Sequence, residues 1–286
     1  MDGLRMMKSS GSPKIYAKSV AVFVMNVIKE CIAYSRERIC SLLFPPRCPV
    51  CDEILSPEDE EKGIHIHCEC KLFPVEGAVC MHCGRPLGQF IPNEERKLIK
   101  PVFESVYSRE YCHECLRKDW CITQGKALYL YKGAIKTTMY RFKYSNKREY
   151  ACFFAKQAAE KYGEWMKKAE VIIPVPMYKG KEKQRGYNQA NILAEEISKL
   201  IDVPIDKKIV KRIKNTVPQK GLNDVERQNN LKKAFHIEKS IVKYNCVLII
   251  DDIFTTGSTA EAVAKELKKR GVSHIYVFSI CIGGDT

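Results

Sequence analysis

Apolar positions follow two rhythms along this 286-residue chain, and each change of rhythm marks a new element. From about Lys14 to Leu43, Ala21, Val24, Met25, Ile28 and Ile32 recur at helical spacing, which predicts a helix that Pro45-Pro46 ends. Residues 1–13 before it are polar and Gly/Ser-bearing, and are expected to be disordered. Lys126 to Tyr131 alternates like a strand, and Gly133 to Tyr144 reads as a helix carrying Arg141 and Lys143 near its end. Tyr150 to Met166 is a second helix, with Ala151, Phe154, Ala158, Tyr162 and Trp165 on one face. Val171-Ile-Ile-Pro174-Val175-Pro176 reads as a buried strand stopped by its prolines. Lys179, Lys181, Lys183 and Arg185 follow as a basic loop, and Gly186-Tyr-Asn188-Gln189 opens a helix with Ala190, Leu193, Ala194 and Ile197 inward.

Val247 to Ile250 is short, rich in β-branched residues and unalternating, as a strand buried on both faces of a parallel sheet should be. The next helix buries Ala260, Val263, Ala264 and Leu267. A Ser258–Glu261 capping box is expected at its start, and Lys268, Lys269, Arg270 and Gly271 mark its end. His274 to Cys281 is a final strand that closes a βαβ crossover. Alternating strands and helices predict an α/β fold, a mostly parallel sheet with helices on both faces.

The chemistry concentrates where the buried run ends. Asp251 and Asp252 fall at the carboxyl end of the strand, where open α/β sheets place their ligands. Thr255, Thr256, Gly257, Ser258 and Thr259 then offer backbone N–H groups and hydroxyls at a helix start, a cradle for an anion. Paired acids beside a phosphate cradle fit a ligand that has both hydroxyls and a phosphate, such as a ribose 5-phosphate. A buried strand and a capped helix would explain the flanks but not two adjacent acids before a Gly/Thr loop. Across the sheet, the basic residues after Pro174-Val175-Pro176 could receive a diphosphate, and Arg185 is singled out because it abuts Gly-Tyr-Asn-Gln.

Cysteine usage adds a second module. The chain has 14 cysteines, most of them between residues 48 and 115 and largely in Cys-x-x-Cys pairs there, a pattern of metal knuckles rather than secreted staples. Cys48-x-x-Cys51, His67-x-x-Cys70, Cys80-x-x-Cys83 and Cys112-x-x-Cys115 can complete two tetrahedral zinc sites. The expected sets are Cys48, Cys51, His67 and Cys70, then Cys80, Cys83, Cys112 and Cys115. Cys68 is an alternative to His67, and a crossed pairing of the units is a second alternative to these sets. No ligand set shows an open position, so both zinc ions are read as structural. The module looks like a double zinc ribbon.

Charge and targeting signals refine this picture only slightly. A formal net charge of +14 points to anionic ligands or partners without choosing among them. Lys8, Lys14 and Lys18 precede the apolar run Val20 to Ile28, but Asn26 interrupts the run and no small-residue cleavage site follows. The run is too short to span a membrane, and a cytoplasmic protein with no membrane span is expected. The basic flank Lys29, Arg36 and Arg38 leaves contact with a membrane surface as an alternative to packing on the rest of the chain.

The stretch Val247 to Thr259 resembles the phosphoribosyl pyrophosphate (PRPP) motif of type I phosphoribosyltransferases. A wider pattern resembles the ComF family: Pro174-Val175-Pro176, then Arg185-Gly-Tyr-Asn188-Gln189, then Arg212-x3-Thr216-x2-Gln219-x2-Leu222-x4-Arg227-x2-Asn230-x3-Ala-Phe. That resemblance implies a zinc-ribbon module joined to a type I phosphoribosyltransferase-like domain, divided here as 1–46, 47–120 and 121–286. It departs from the family in His67, where a cysteine is usual, and in the long spacing before Cys112.

The resemblance also implies a function. PRPP and Mg²⁺ would bind with Asp251 and Asp252 on the ribose, Thr255 to Thr259 on the 5-phosphate, and Pro174, Val175 and Arg185 toward the diphosphate. Residues 201–246 would form a hood bearing Gln219, Arg227 and Asn230, with Arg227 taken as substrate-binding. The implied activity is phosphoribosyl transfer to an acceptor that no residue identifies, with Asp251, Asp252 and Arg185 as the catalytic set. The competing reading is a catalytically silent PRPP- or nucleic-acid-binding accessory of DNA uptake, with single-stranded DNA or DNA-uptake proteins as partners.

Overall fold

The computed structural model describes residues 45–87, 110–213, 234–237 and 243–283. The N-terminal helix predicted from Lys14 to Leu43, the polar start before it, and Gln219, Arg227 and Asn230 of the expected hood lie outside these residues. The described residues from Arg47 onward belong to one compact unit.

Three single-turn helices, α1 (Pro57–Glu60), α2 (Ile66–Glu69) and α3 (His113–Leu116), lie in the cysteine-rich part. They are followed by β1 (Gln124–Leu130), α4 (Ala134–Tyr144), α5 (Tyr150–Met166), β2 (Val171–Pro174), α6 (Lys179–Arg185) and α7 (Gln189–Ile201). Next come β3 (Val210–Arg212), β4 (Phe235–Ile237), β5 (Cys246–Phe254), α8 (Ser258–Lys268) and β6 (His274–Ile282). The main sheet runs in the order β1-β6-β5-β2, with every neighbouring pair parallel, while β3 and β4 form a separate antiparallel pair. The architecture is the expected one, α/β with a parallel sheet and flanking helices.

The unalternating run at the centre of β5 has the expected cause. Successive side chains on a strand point to opposite faces, and here both faces are covered. Leu248 and Ile250 join a hydrophobic cluster with α4, α5 and α7, whereas Val247 and Ile249 join another with α8 and the β3–β4 pair. All four are fully buried, and each contributes about 1.5–3 kcal/mol by leaving water.

The cysteine-rich part divides between the same two clusters. Cys48, Val50, Leu55 and Cys68 pack into the first, and Val75, Cys80, Cys83 and Cys115 into the second. Between them the chain crosses the sheet edge, where Leu130 N–H donates to Phe73 O and Val75 N–H to Leu128 O, both at 2.8 Å. Those bonds occupy the open side of edge strand β1, which would otherwise present unpaired backbone groups.

Two local expectations give way to the structure. Lys179 to Arg185 is not a loop but helix α6, closed by Gly186 in the left-handed region at φ 85°. Gly180 in its first turn is tolerated, and Gly186 ends the helix. The Ser258–Glu261 capping box does not form. Gly257 is the N-cap of α8, and both Glu261 carboxylate oxygens accept from Cys121 N–H, at 3.0 and 3.1 Å. A tertiary acceptor role has taken the glutamate away from its local one.

Candidate functional site

A cleft of about 560 Å³ opens at the carboxyl ends of β2 and β5. Asp251, Asp252, Thr255 and Thr259 line it together with Val175, Tyr131, Lys143, Asn188 and Arg212. The two acids lie inside the last turn-free residues of β5 rather than after it, with Asp251 in register with Ser279. Helix and sheet covering ends there, so neighbours that would face opposite sides both reach the cleft. Asp252 N–H donates to Asp251 Oδ1 at 2.8 Å, tying the pair together.

The charges in this cleft are unequal. Lys143 Nζ lies 3.0 Å from Asp252 Oδ2. Burial alone would lower the Lys143 pKa, but the Asp252 charge and hydrogen bond, with Asp251 behind them, hold it above its ordinary value. Asp251 behaves oppositely: desolvation first, then repulsion from Asp252, push its pKa up to about 7. Lys143 and Arg212 restrain that rise without cancelling it. The cleft therefore presents an acid that titrates near neutrality, Asp251, beside the Lys143–Asp252 pair.

The Arg185-Gly-Tyr-Asn-Gln segment builds the wall rather than the lining. Tyr187 OH donates to Phe142 O, and Gln189 Nε2 donates to Phe142 O at 3.2 Å and Lys143 O at 3.4 Å. These are last-turn carbonyls of α4, which have no partner within their own helix, so the segment fixes the end that carries Lys143. Asn188 caps α7 by accepting from Ala190 N–H at 3.1 Å and donates to Val175 O at 2.9 Å. Arg185 itself donates to Gln189 Oε1 at 2.7 Å and lies 4.7 Å over the Tyr144 ring. It is not among the residues lining the cleft. Pro174 ends β2 beside it.

Within the cradle, the hydroxyls divide. Thr255 and Thr259 line the cleft, whereas Thr256 is buried and pairs with Ser258, Oγ to Oγ at 2.7 Å. Gly257 turns the loop at φ 72°, and a Cβ there would stand 2.4 Å from Phe254 Cζ and 2.8 Å from the Trp120 ring. Only glycine fits this corner.

Two clusters of metal-ligating side chains lie apart from the cleft. Cys80, Cys83, Cys112 and Cys115 bring all four ligand atoms within 4.8 Å of one another, as the spacing predicts. The Cys83–Cys112 sulfur separation is 3.7 Å, close to the ~3.8 Å edge of a tetrahedron built on zinc–sulfur bonds of about 2.3 Å. Hydrogen bonds among these sulfurs lower the pKa of Cys80 and raise those of Cys83 and Cys115. A divalent ion held by Cys80, Cys83, Cys112 and Cys115 would take all four as thiolates.

The other cluster corrects the expected ligand set. It comprises Cys48, Cys51, His65 and Cys68, not His67 and Cys70. His65 is the N-cap of α2 and Cys68 lies three residues on, facing inward. A shift of two residues turns a helix by about 200°, so His67 and Cys70 face out and are exposed, although their spacing is the same. Cys70 Sγ is occupied with His67 O at 3.3 Å. His65 Nε2 lies 3.1 Å from Ile54 O and can donate there, leaving Nδ1, 3.3 Å from Cys51 Sγ, free to ligate. The crossed pairing of units is absent from both clusters.

Comparison with known proteins places these two parts. Residues 39–116 match the double zinc ribbon domain and residues 183–284 the phosphoribosyl transferase domain. Competence protein F of Haemophilus influenzae is 32% identical over 228 residues, which cover 75% of this chain and 95% of that protein. The chain belongs to the ComF family. Competence protein ComFC of Bacillus subtilis is 25% identical over 76% of this chain and 82% of its own length. The DNA utilization protein YhgH of Salmonella typhimurium is 25% identical over 59% of this chain and 77% of its own. The protein thus joins a double zinc ribbon to a phosphoribosyltransferase-type domain.

Sequence reasoning missed three contributors to the cleft and one metal ligand. Lys143 and Tyr131 carry no local mark that separates them from their neighbours, and Arg212 was only part of a family pattern. His65 had a signal, its three-residue spacing to Cys68, which competes with the same spacing two residues on.

Proposed function

We propose that the cleft binds PRPP with Mg²⁺ and that the protein transfers the phosphoribosyl group to an acceptor with release of diphosphate. The observation that carries this reading is the Asp251–Asp252 pair held beside the Thr255–Thr259 cradle in one cleft, with the cations Lys143 and Arg212 lining it. The carboxylates would accept from the ribose hydroxyls, and Thr255 and Thr259 would take the 5-phosphate at the start of α8. Lys143 and Arg212, rather than Arg185, supply positive charge where a diphosphate gathers. Mg²⁺ would screen the diphosphate and favour its departure. The protein's share is positioning and electrostatics. Arg227 remains a candidate contact in the proposed hood.

Isothermal titration of the zinc-loaded chain with PRPP and Mg²⁺ tests the reading, followed by a screen for diphosphate release with nucleobases and amines. Binding that Asp251→Asn with Asp252→Asn abolishes is expected. Absence of binding to the wild type would sink it.

A second reading, a nucleic-acid-binding accessory in DNA uptake, is favoured by one surface. Tyr140 and Tyr144 are 62% and 61% exposed, their rings 5.1 Å apart, and Arg185 covers Tyr144. Paired exposed aromatics with a guanidinium suit stacking of unpaired bases. The relatives' names, for competence and DNA utilization, support a role of this kind. Fluorescence anisotropy with labelled single-stranded DNA should show binding that Tyr140→Ala with Tyr144→Ala weakens. Unchanged affinity in that variant rules the surface out.

The described helices include none long and apolar enough to cross a membrane.

A further inference from the structure

The phosphate cradle is gripped from outside the phosphoribosyltransferase-type domain. Arg85 comes two residues after the metal ligand Cys83, and it is only 4% exposed. Its guanidinium spans two partners. Nη1 pairs with Glu114 Oε2 at 2.6 Å, and Nη2 donates to the backbone carbonyl of Thr255. Glu114 lies in α3 between the ligands Cys112 and Cys115. One side chain thus joins both halves of the second metal cluster to the first residue of the cradle.

Further contacts from the same segment meet the same loop. The Trp120 and Phe254 rings stack with centroids 6.3 Å apart, and both rings crowd the space beside Gly257. Glu261 of α8 accepts Cys121 N–H. The loop is therefore held at its entry by Arg85, at its corner by Trp120 and at its exit by the Glu261 contact.

We propose that Arg85 is a positioning residue for the phosphate cradle, through which the second metal cluster sets the orientation of the Thr255–Thr256 peptide. A peptide unit is planar and trans, so its carbonyl and the following N–H point to opposite sides. Holding Thr255 O on the ribbon side turns Thr256 N–H away from the ribbon. A guanidinium suits this task because its planar fork serves a carboxylate and a carbonyl at once, whereas an ammonium is a single point donor. The inference about the loop stands on these contacts. Its consequence for ligand affinity rests on the PRPP reading.

The test compares the full-length, zinc-loaded wild type with Arg85→Lys and Arg85→Met. Metal content, amide exchange at residues 254–259 and titration with PRPP and Mg²⁺ are measured on each. Arg85→Lys can keep the Glu114 pair and lose the Thr255 contact. It should retain both zinc ions and the exchange pattern of residues 246–250, exchange faster in the loop, and bind PRPP about tenfold more weakly, the scale of one charge-assisted hydrogen bond. Arg85→Met should show the same or a larger loop effect. Wild-type exchange and affinity in both variants would overturn the proposal, and so would loss of zinc or of the fold in both, which would make Arg85 a folding residue. If the wild type fails to bind PRPP, the ligand reading falls, and the exchange comparison alone still decides whether Arg85 positions the loop.

Discussion

Lys143 Nζ stands 3.0 Å from Asp252 Oδ2, joining the end of α4 to the end of β5 across the mouth of the cleft. That pair divides the two acids into unlike partners, because Asp252 holds the lysine while Asp251 stays desolvated beside its neighbouring carboxylate. Replacing Lys143 by Met should leave two facing carboxylates without their nearest cation. Both side chains keep some solvent contact, 21% and 18%, so the loss should be roughly 1–2 kcal/mol rather than the 3–5 typical of a fully buried pair. Thermal unfolding at pH 8 measures it. A variant as stable as the wild type would show that the pair is incidental.

Asp251 makes stability depend on pH in the unusual direction. Its pKa is raised from 3.8 to about 7 in the folded protein. Between those values the folded state holds a proton that the unfolded state has released, so stability falls as pH rises through this window, with the full penalty above pH 7. Asp251→Asn should therefore be more stable than the wild type at pH 8 and nearly equal at pH 4, while losing PRPP binding. A difference in melting temperature that does not grow with pH contradicts the assignment.

Gly257 has no tolerable substitute. The left-handed backbone at φ 72° and the 2.4 Å approach to Phe254 Cζ both act against a Cβ. Gly257→Ala should cost about 1–3 kcal/mol or more and displace the cradle, with loss of PRPP binding. Denaturant unfolding and titration calorimetry together give the result. Wild-type affinity in this variant would mean the loop does not hold the ligand.

The metal clusters separate two candidate pairs of the same spacing. Metal analysis should find about two zinc ions per chain from two tetrahedral sets, a count that falls by about one in His65→Ala or Cys68→Ala. The count should hold in His67→Ala and Cys70→Ala, whose side chains are exposed. The reverse outcome would restore the pair that spacing alone suggested.

Asp52 ties the first knuckle to the start of α5. Asp52 accepts from Tyr150 OH and pairs with Lys147 Nζ, each at 2.7 Å, and despite its burial these partners hold its pKa below the ordinary 3.8. A depressed carboxylate contributes stability above its unfolded value and loses it as pH falls through the folded one. Relative to intrinsic rates, amide protection of residues 47–54 should fall with acid, and Asp52→Asn with its zinc retained should show reduced protection already at pH 7. Acid-insensitive protection in the wild type would refute the docking role.

How much of this was legible follows from the range of each interaction. Periodicity identified β5, α5 and α8 because a strand buried on two faces and a helix buried on one write their surroundings into adjacent residues. The Asp251–Asp252 pair and the Thr255–Thr259 loop could be read for the same reason, since a site built from consecutive residues keeps its chemistry in one stretch. Cys80, Cys83, Cys112 and Cys115 were legible because two knuckles repeat one short spacing.

Tertiary structure decided what spacing leaves degenerate. His65 and His67 each precede a cysteine by three residues, and only the packing of α2 shows which side faces the metal. Arg185 abuts the helix-opening Gly-Tyr-Asn-Gln, yet its guanidinium lies over Tyr144, while Lys143, forty-odd residues earlier in the chain, reaches Asp252. Arg85 meets Thr255 across 170 residues. By itself, then, the sequence determined the periodic elements, the acids and the cradle, all set by contacts along a few residues of chain. The cations of the cleft, the histidine ligand and the grip of the ribbon on the cradle depended on segments brought together by burial, and a linear pattern does not encode which distant side chain a buried charge will meet.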